Sequence, residues 1–194
     1  MTEHETGDAA WGETTTAPLP FTSGQWRLEL RDDELADISY DGRVVLRSIR
    51  GVARDQDWGT LPPVVQSVVT SATSLRVDVA LGNLEAQLTV EAAGDELDVR
   101  WTCHVHAAFL RNRLGLVALH PPTLAGESLE ITHPDGDTES SSFPLEISPH
   151  QPAFDISALG WEHDGLVVRV DFTGDVFEME DQRNWTDASY KTYS

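Results

Sequence analysis

From Leu75 to Val105 the chain alternates apolar and polar residues with a period of two, broken only by turn residues. Leu75, Val77, Val79 and Leu81 alternate with Arg76, Asp78 and Ala80, and Gly82-Asn83 then turns the chain. Leu84, Ala86, Leu88 and Val90 alternate with Glu85, Gln87 and Thr89, and a turn at Gly94-Asp95 leads into Leu97, Val99, Trp101, Cys103 and Val105. Successive side chains on a strand point to opposite faces, so this pattern predicts half-buried antiparallel strands joined by hairpins. The same texture extends in both directions. Trp26, Leu28 and Leu30 alternate with polar neighbours, and Leu35–Tyr40 meets Arg43–Arg50 across Asp41-Gly42, a two-residue hairpin signal because both positions must accept positive φ. Further strands are predicted at Arg111–His120, Leu129–Thr132, Phe143–Ile147, Phe154–Ile156 and Leu166–Phe172, with turns at Asp135-Gly136 and Asp164-Gly165. Val52–Thr60 is predicted as a polar, aromatic loop before Pro62-Pro63. No segment shows a convincing helix period, and there is no internal repeat. About a dozen short strands predict an all-β fold, an antiparallel β-sandwich or the related galactose-mutarotase-like supersandwich.

At 194 residues the chain suits one domain of the larger all-β kind, or one domain with a tail. Residues 1–22 are expected to be a disordered lead-in, whose Trp11 would tuck against the domain; 23–176 form the sandwich, and 177–194 a terminal segment that holds a site or docks. The formal charge of −20, from 33 acidic and 13 basic residues, excludes nucleic acid and an anionic membrane surface as partners. Cys103 is the only cysteine, so no disulfide closes within the chain, and its place on the apolar side of a strand suggests inert core. No basic, apolar leader opens the sequence and no run approaches a membrane span, so a soluble cytoplasmic protein is expected.

Phe177 to Tyr193, FEMEDQRNWTDASYKTY, gathers nearly every reactive side-chain type and shows no clean period of its own. It suits a loop that reads a polar ligand or docks a partner. Lys191 is the only lysine beside twelve arginines. A lysine ammonium can lose its proton when buried whereas a guanidinium cannot, so Lys191 is either chosen for its chemistry or an ordinary surface cation. Carboxylates and amides hold hydroxyls and a Trp stacks on a sugar face, so Asp181, Arg183, Asn184 and Trp185 are candidate ligand-binding residues. Outside the stretch, His120 ends a strand before two prolines, and Arg113 shares a strand face with Arg111, a geometry suited to a carboxylate or paired hydroxyls. A backbone-satisfied histidine and a solvated arginine edge are the alternatives. His104 and His106 share one strand face, but no glutamate follows to complete a cupin-like metal set, so no metal and no cofactor is expected. That face is otherwise a polar sheet surface or a concave sugar-holding one. There is no G-x-S-x-G elbow, no phosphate loop and no CxxC.

Three stretches carry a family resemblance: Ile49–Thr60 (IRGVARDQDWGT), Leu114–Pro121 (LGLVALHP) and the terminal EMEDQRNWTDASYKTY. In this order they resemble motifs of the bacterial D-apionate lactonases. The resemblance implies an all-β domain similar to the N-terminal part of those enzymes and a role in hydrolysing a sugar-acid lactone. It also implies a barrel domain or a partner chain beyond this one, because members of that family are much longer. Lactone hydrolysis needs a base for water and a stabiliser for the oxyanion; Glu180 or Asp187 is expected as the base, and Lys191 or Arg183 as the stabiliser. Two other classes stay open: a non-catalytic module that binds a carbohydrate or docks on a barrel, and a mutarotase-like epimerase using His104, His106 or His120 with a carboxylate.

Overall fold

A computed structural model describes residues 17–148 and 151–194; the expectations for residues 1–16, including Trp11, lie outside the described residues. Among the described residues, sixteen strands follow one another. They are β1 (Leu19–Ser23), β2 (Trp26–Arg31), β3 (Glu34–Tyr40), β4 (Arg43–Asp55), β5 (Val64–Thr70), β6 (Ser74–Leu81), β7 (Leu84–Ala93) and β8 (Glu96–Val105). Then come β9 (Arg111–His120), β10 (Ser128–Thr132), β11 (Thr138–Ser142), β12 (Ala153–Ile156), β13 (Ala158–His163), β14 (Leu166–Asp171), β15 (Phe177–Asp181) and β16 (Tyr190–Tyr193). The only helical turn among the described residues is the short 3-10 turn Pro122–Leu124. No helix among them is long and apolar enough to cross a membrane.

The expected all-β sandwich is observed. An eight-stranded sheet runs in the order β1-β2-β3-β4-β9-β16-β15-β12, and two four-stranded sheets run β5-β6-β7-β8 and β11-β10-β13-β14. Every strand pairing is antiparallel. One hydrophobic core joins all three sheets, with Leu35 and Ile38 of the large sheet, Val77 and Leu88 of one small sheet, and Ile131 and Leu159 of the other. The meander over residues 74–105 forms in the register its alternation demands, with Val77 opposite Leu88 and Leu88 opposite Trp101. Asp41-Gly42 and Asp164-Gly165 both adopt the paired positive φ that short hairpins require.

Three of the strands that local alternation does not reveal are edges with little buried face. β1 falls in the expected lead-in; it is an edge strand with only Phe21 buried, and its Pro20 is tolerated because an edge need not donate on both sides. β5 and β11 are also edges, exposed along most of their length, so neither shows an alternation. β13 is hidden by its small residues, Ala158 and Gly160. Phe143–Ile147 is not a strand. Phe143 is buried in the core, while the carbonyls of Pro144 and Leu145 receive Arg183 instead of a neighbouring strand. The loop predicted at Val52–Thr60 begins later, because β4 continues to Asp55 alongside β9. The terminal stretch, expected as a loop, is two strands and a turn inside the large sheet.

Candidate functional site

The three sequence stretches singled out above lie side by side. Ile49–Thr60 supplies the end of β4, Leu114–Pro121 most of β9, and the terminal stretch β15 and β16; these are consecutive in the sheet order β4-β9-β16-β15. Register then sorts their side chains onto two faces. Glu178 lies opposite Tyr193, Tyr193 opposite Val117, and Val117 opposite Arg50. Glu180 lies opposite Lys191, and Lys191 opposite Leu119. The positions between them, Met179, Asp181, Tyr190, Thr192 and His120, belong to the other face, where the main core lies.

On the outer face, Val52, Val117, Leu119 and Tyr193 form a small buried apolar cluster separate from the main core. Above it lies a cavity of about 80 Å3 lined by Val52, Arg54, Trp58, Arg113, Gly115, Val117, Glu180, Lys191, Tyr193 and Ser194. Arg113 donates to Glu178 at 2.7 Å and stacks its guanidinium 4.1 Å from the centre of the Tyr193 ring. Gln151 donates to the other Glu178 oxygen at 3.0 Å. Glu180 accepts from the Tyr193 hydroxyl on one oxygen and from Gln182 at 2.7 Å on the other. Burial, reinforced by the Glu180 and Glu178 carboxylates, pushes the Tyr193 phenol far up, so it stays a neutral donor. Lys191 pairs with Asp187 at 2.9 Å, both side chains being largely buried. The turn that carries Asp187 is tied to β4 by Arg47, which donates to Asp187 O, Ala188 O and Ser189 Oγ.

The rim has a distinct build. Asp55 accepts from the backbone N–H of Asp57 and of Gly59 at 2.9 and 2.8 Å, closing the turn after β4. Trp58 at its tip has φ 67, a left-handed conformation that is strained for a bulky side chain; the residue is 56% exposed and lines the cavity.

The predicted site residues therefore divide. Glu180, Lys191 and Arg113 line one cavity, and Asp187 reaches it through Lys191. Asp181 and Arg183 form a clamp on the core side. The Asp181 carboxylate, fully buried, is met by Arg183 Nε and Nη2 at 2.9 and 2.8 Å and by Ser148 N at 3.0 Å. Burial pushes the Asp181 carboxyl up, but these donors outweigh it and hold it below its ordinary value. Arg183 also stacks on Tyr190, whose phenol burial pushes up to about 12. His120 is completely buried beside Trp161 and Phe143; its Nε2 lies 2.8 Å from Thr192 Oγ1, and its Nδ1 has no hydrogen-bond partner among the described residues. Asn184 and Trp185 lie on the exposed β15–β16 turn, not at the cavity. His104 and His106 are exposed with rings 4.7 Å apart, and His106 Nε2 lies 3.1 Å from Glu85. Cys103 is half-buried, and burial pushes its thiol up.

Arg54 and Trp58 were not among the residues expected at a site. Their signal was the register: Arg54 is the Cα partner of Arg113. Chemically, the cavity offers an oriented carboxylate, three cations and an aromatic edge. It is well below the roughly 300 Å3 at which ordinary ligand pockets begin, so it seats one end of a ligand.

The family described as D-apionate lactonase, N-terminal domain, matches residues 7–194. A protein named D-apionate lactonase from Brucella anthropi is 35% identical over 201 residues, covering 93% of this chain and 32% of that protein. The chain thus spans about a third of the length of that curated relative. No solved structure matches it.

Proposed function

The chain belongs to the D-apionate lactonase N-terminal domain family, and from that premise we propose that it is the N-terminal β-sandwich part of a sugar-acid lactone hydrolase whose outer-face cavity engages the lactone. The observation that carries this reading is convergence. The three family-like stretches, far apart in the chain, are neighbours in one sheet and line one cavity that holds Glu180, Lys191 and Arg113.

In this reading Glu180, oriented by Tyr193 and Gln182, accepts a proton as water adds to the lactone carbonyl. Lys191 and Arg113 hold the carbonyl oxygen as negative charge develops on it. The ring C–O bond then breaks, the departing alkoxide takes the proton from Glu180, and the new carboxylic acid ionises, so each turnover releases one proton. Asp187 positions Lys191 through their 2.9 Å pair and does not touch substrate. Asp181 and Arg183 hold the hairpin that carries Glu180 and Lys191.

The small cavity favours one second reading, a recognition module that seats one end of the sugar acid without turning it over. Proton release by the purified chain with D-apionolactone, beside Lys191→Ala, separates the two. Turnover by the wild type that the variant loses is expected if this domain holds the working site. Saturable binding without proton release by either protein replaces the catalytic reading with the recognition module.

A further inference from the structure

We propose that Arg54 and Arg113, with Trp58 at the rim, form a subsite for the carboxylate of an open-chain polyhydroxy acid, the product class of lactone hydrolysis. The proposal deepens the reading above and rests on the same cavity. Arg54 and Arg113 are directly opposite on β4 and β9 and both line the cavity. Like charges directly opposite on neighbouring strands are unfavourable. Arg113 is offset by Glu178 at 2.7 Å. Arg54 is half-buried, and its guanidinium has no hydrogen bond or ion pair among the described residues. This is a chain with 33 acidic residues, where a neutralising carboxylate is easily supplied. The nearest in sequence, Asp55, is instead committed to the N–H groups of Asp57 and Gly59. A guanidinium fork matches a carboxylate in two-point geometry, and a cavity of about 80 Å3 suits that group better than a whole sugar. The strained turn holds the Trp58 ring where the carbon chain behind the carboxylate would lie.

The balance of the reaction fits. The lactone is neutral at this carbon and the product is an anion, so a subsite of this kind favours product over substrate and predicts product inhibition. The test is calorimetric titration of the full chain with D-apionate and with the uncharged alditol of the same carbon skeleton, at low and high salt. The same titrations are made on Arg54→Gln and Trp58→Leu, whose folding is checked by thermal melting. The wild type is expected to bind the acid roughly tenfold or more tightly than the alditol, the worth of one charge-assisted hydrogen bond, and to lose that margin at high salt. Arg54→Gln should lose most of the margin between acid and alditol, and Trp58→Leu should weaken both.

An acid preference unchanged in Arg54→Gln overturns the subsite but leaves lactone turnover standing. An acid preference that depends on Arg54 in a chain without turnover keeps the subsite and removes the catalytic reading. Binding of neither compound overturns the subsite, and with no lactone turnover it removes the cavity as a sugar site altogether. Equal competition by acetate overturns the requirement for the hydroxyl-bearing chain.

Discussion

Gly51 and Gly115 stand on adjacent strands and face opposite sides of one sheet. A Cβ on Gly51 would come within 2.1 Å of the Trp101 indole nitrogen, so this glycine lets the second sheet close on the first. Gly51→Ala is expected to destabilise by about 1–3 kcal/mol, the cost of overpacking, as measured by urea denaturation. On the outer face, a Cβ on Gly115 would meet Ser194 Oγ at 2.2 Å. Gly115→Ala should therefore disturb ligand binding at the cavity more than it disturbs the melting temperature. His120 makes a different prediction. Burial lowers its pKa from 6.5 to about 3, so the folded protein keeps it neutral while the unfolded chain protonates it below about pH 6.5. The unfolded state then binds more protons, and stability contributed by the neutral ring is present above pH 6.5 and lost as pH falls toward 3. Between pH 6.5 and 5 that loss is about 2 kcal/mol. His120→Gln should flatten this part of the stability-against-pH curve in urea melts, and an unchanged slope would assign the loss to other groups.

The β15–β16 hairpin divides its work by face. Its outer face carries Glu180 and Lys191 to the cavity; its inner face carries the Asp181–Arg183 clamp, which also holds the carbonyls of Pro144 and Leu145. Arg183→Ala would leave the Asp181 carboxylate buried with only backbone donors, from Ser148 and residue 183 itself. Stranding one member of a buried pair costs about 3–5 kcal/mol. A loss of that size in chemical denaturation is expected, and a change within about 0.5 kcal/mol would show that the clamp is not structural. The hairpin was partly legible. Phe177, Met179 and Asp181 alternate with Glu178 and Glu180 at period two, but the buried acid at 181 breaks the apolar pattern, so the strand reads as a polar stretch. In β16 the buried residues Tyr190, Thr192 and Tyr193 show no simple alternation, because Tyr193 is buried by the outer-face cluster and not by the main core.

At the scale of the whole molecule the net charge of −20 sets the response to salt. Self-repulsion of so many carboxylates opposes compaction, and screening relieves it. The melting temperature should rise as sodium chloride is raised from about 10 mM to a few hundred millimolar, where the Debye length falls below about 10 Å; a fall would mean that the ion pairs outweigh the repulsion. The sequence alone determined the all-β class, the central meander and the hairpin turns, because these follow from local alternation and from residues that accept positive φ. It also marked the three stretches that belong together and singled out Glu180, Lys191 and Arg113. Only the tertiary structure decided that β9 lies between β4 and β16, since antiparallel pairing between distant strands leaves no local trace. That choice of neighbours put Arg54 opposite Arg113 and Lys191 opposite Leu119, and turned His120 inward; the exposed edge strands, with no buried face, left no pattern to read. Strand neighbours are selected by which faces can be buried together, and burial is a property of the assembled sheets.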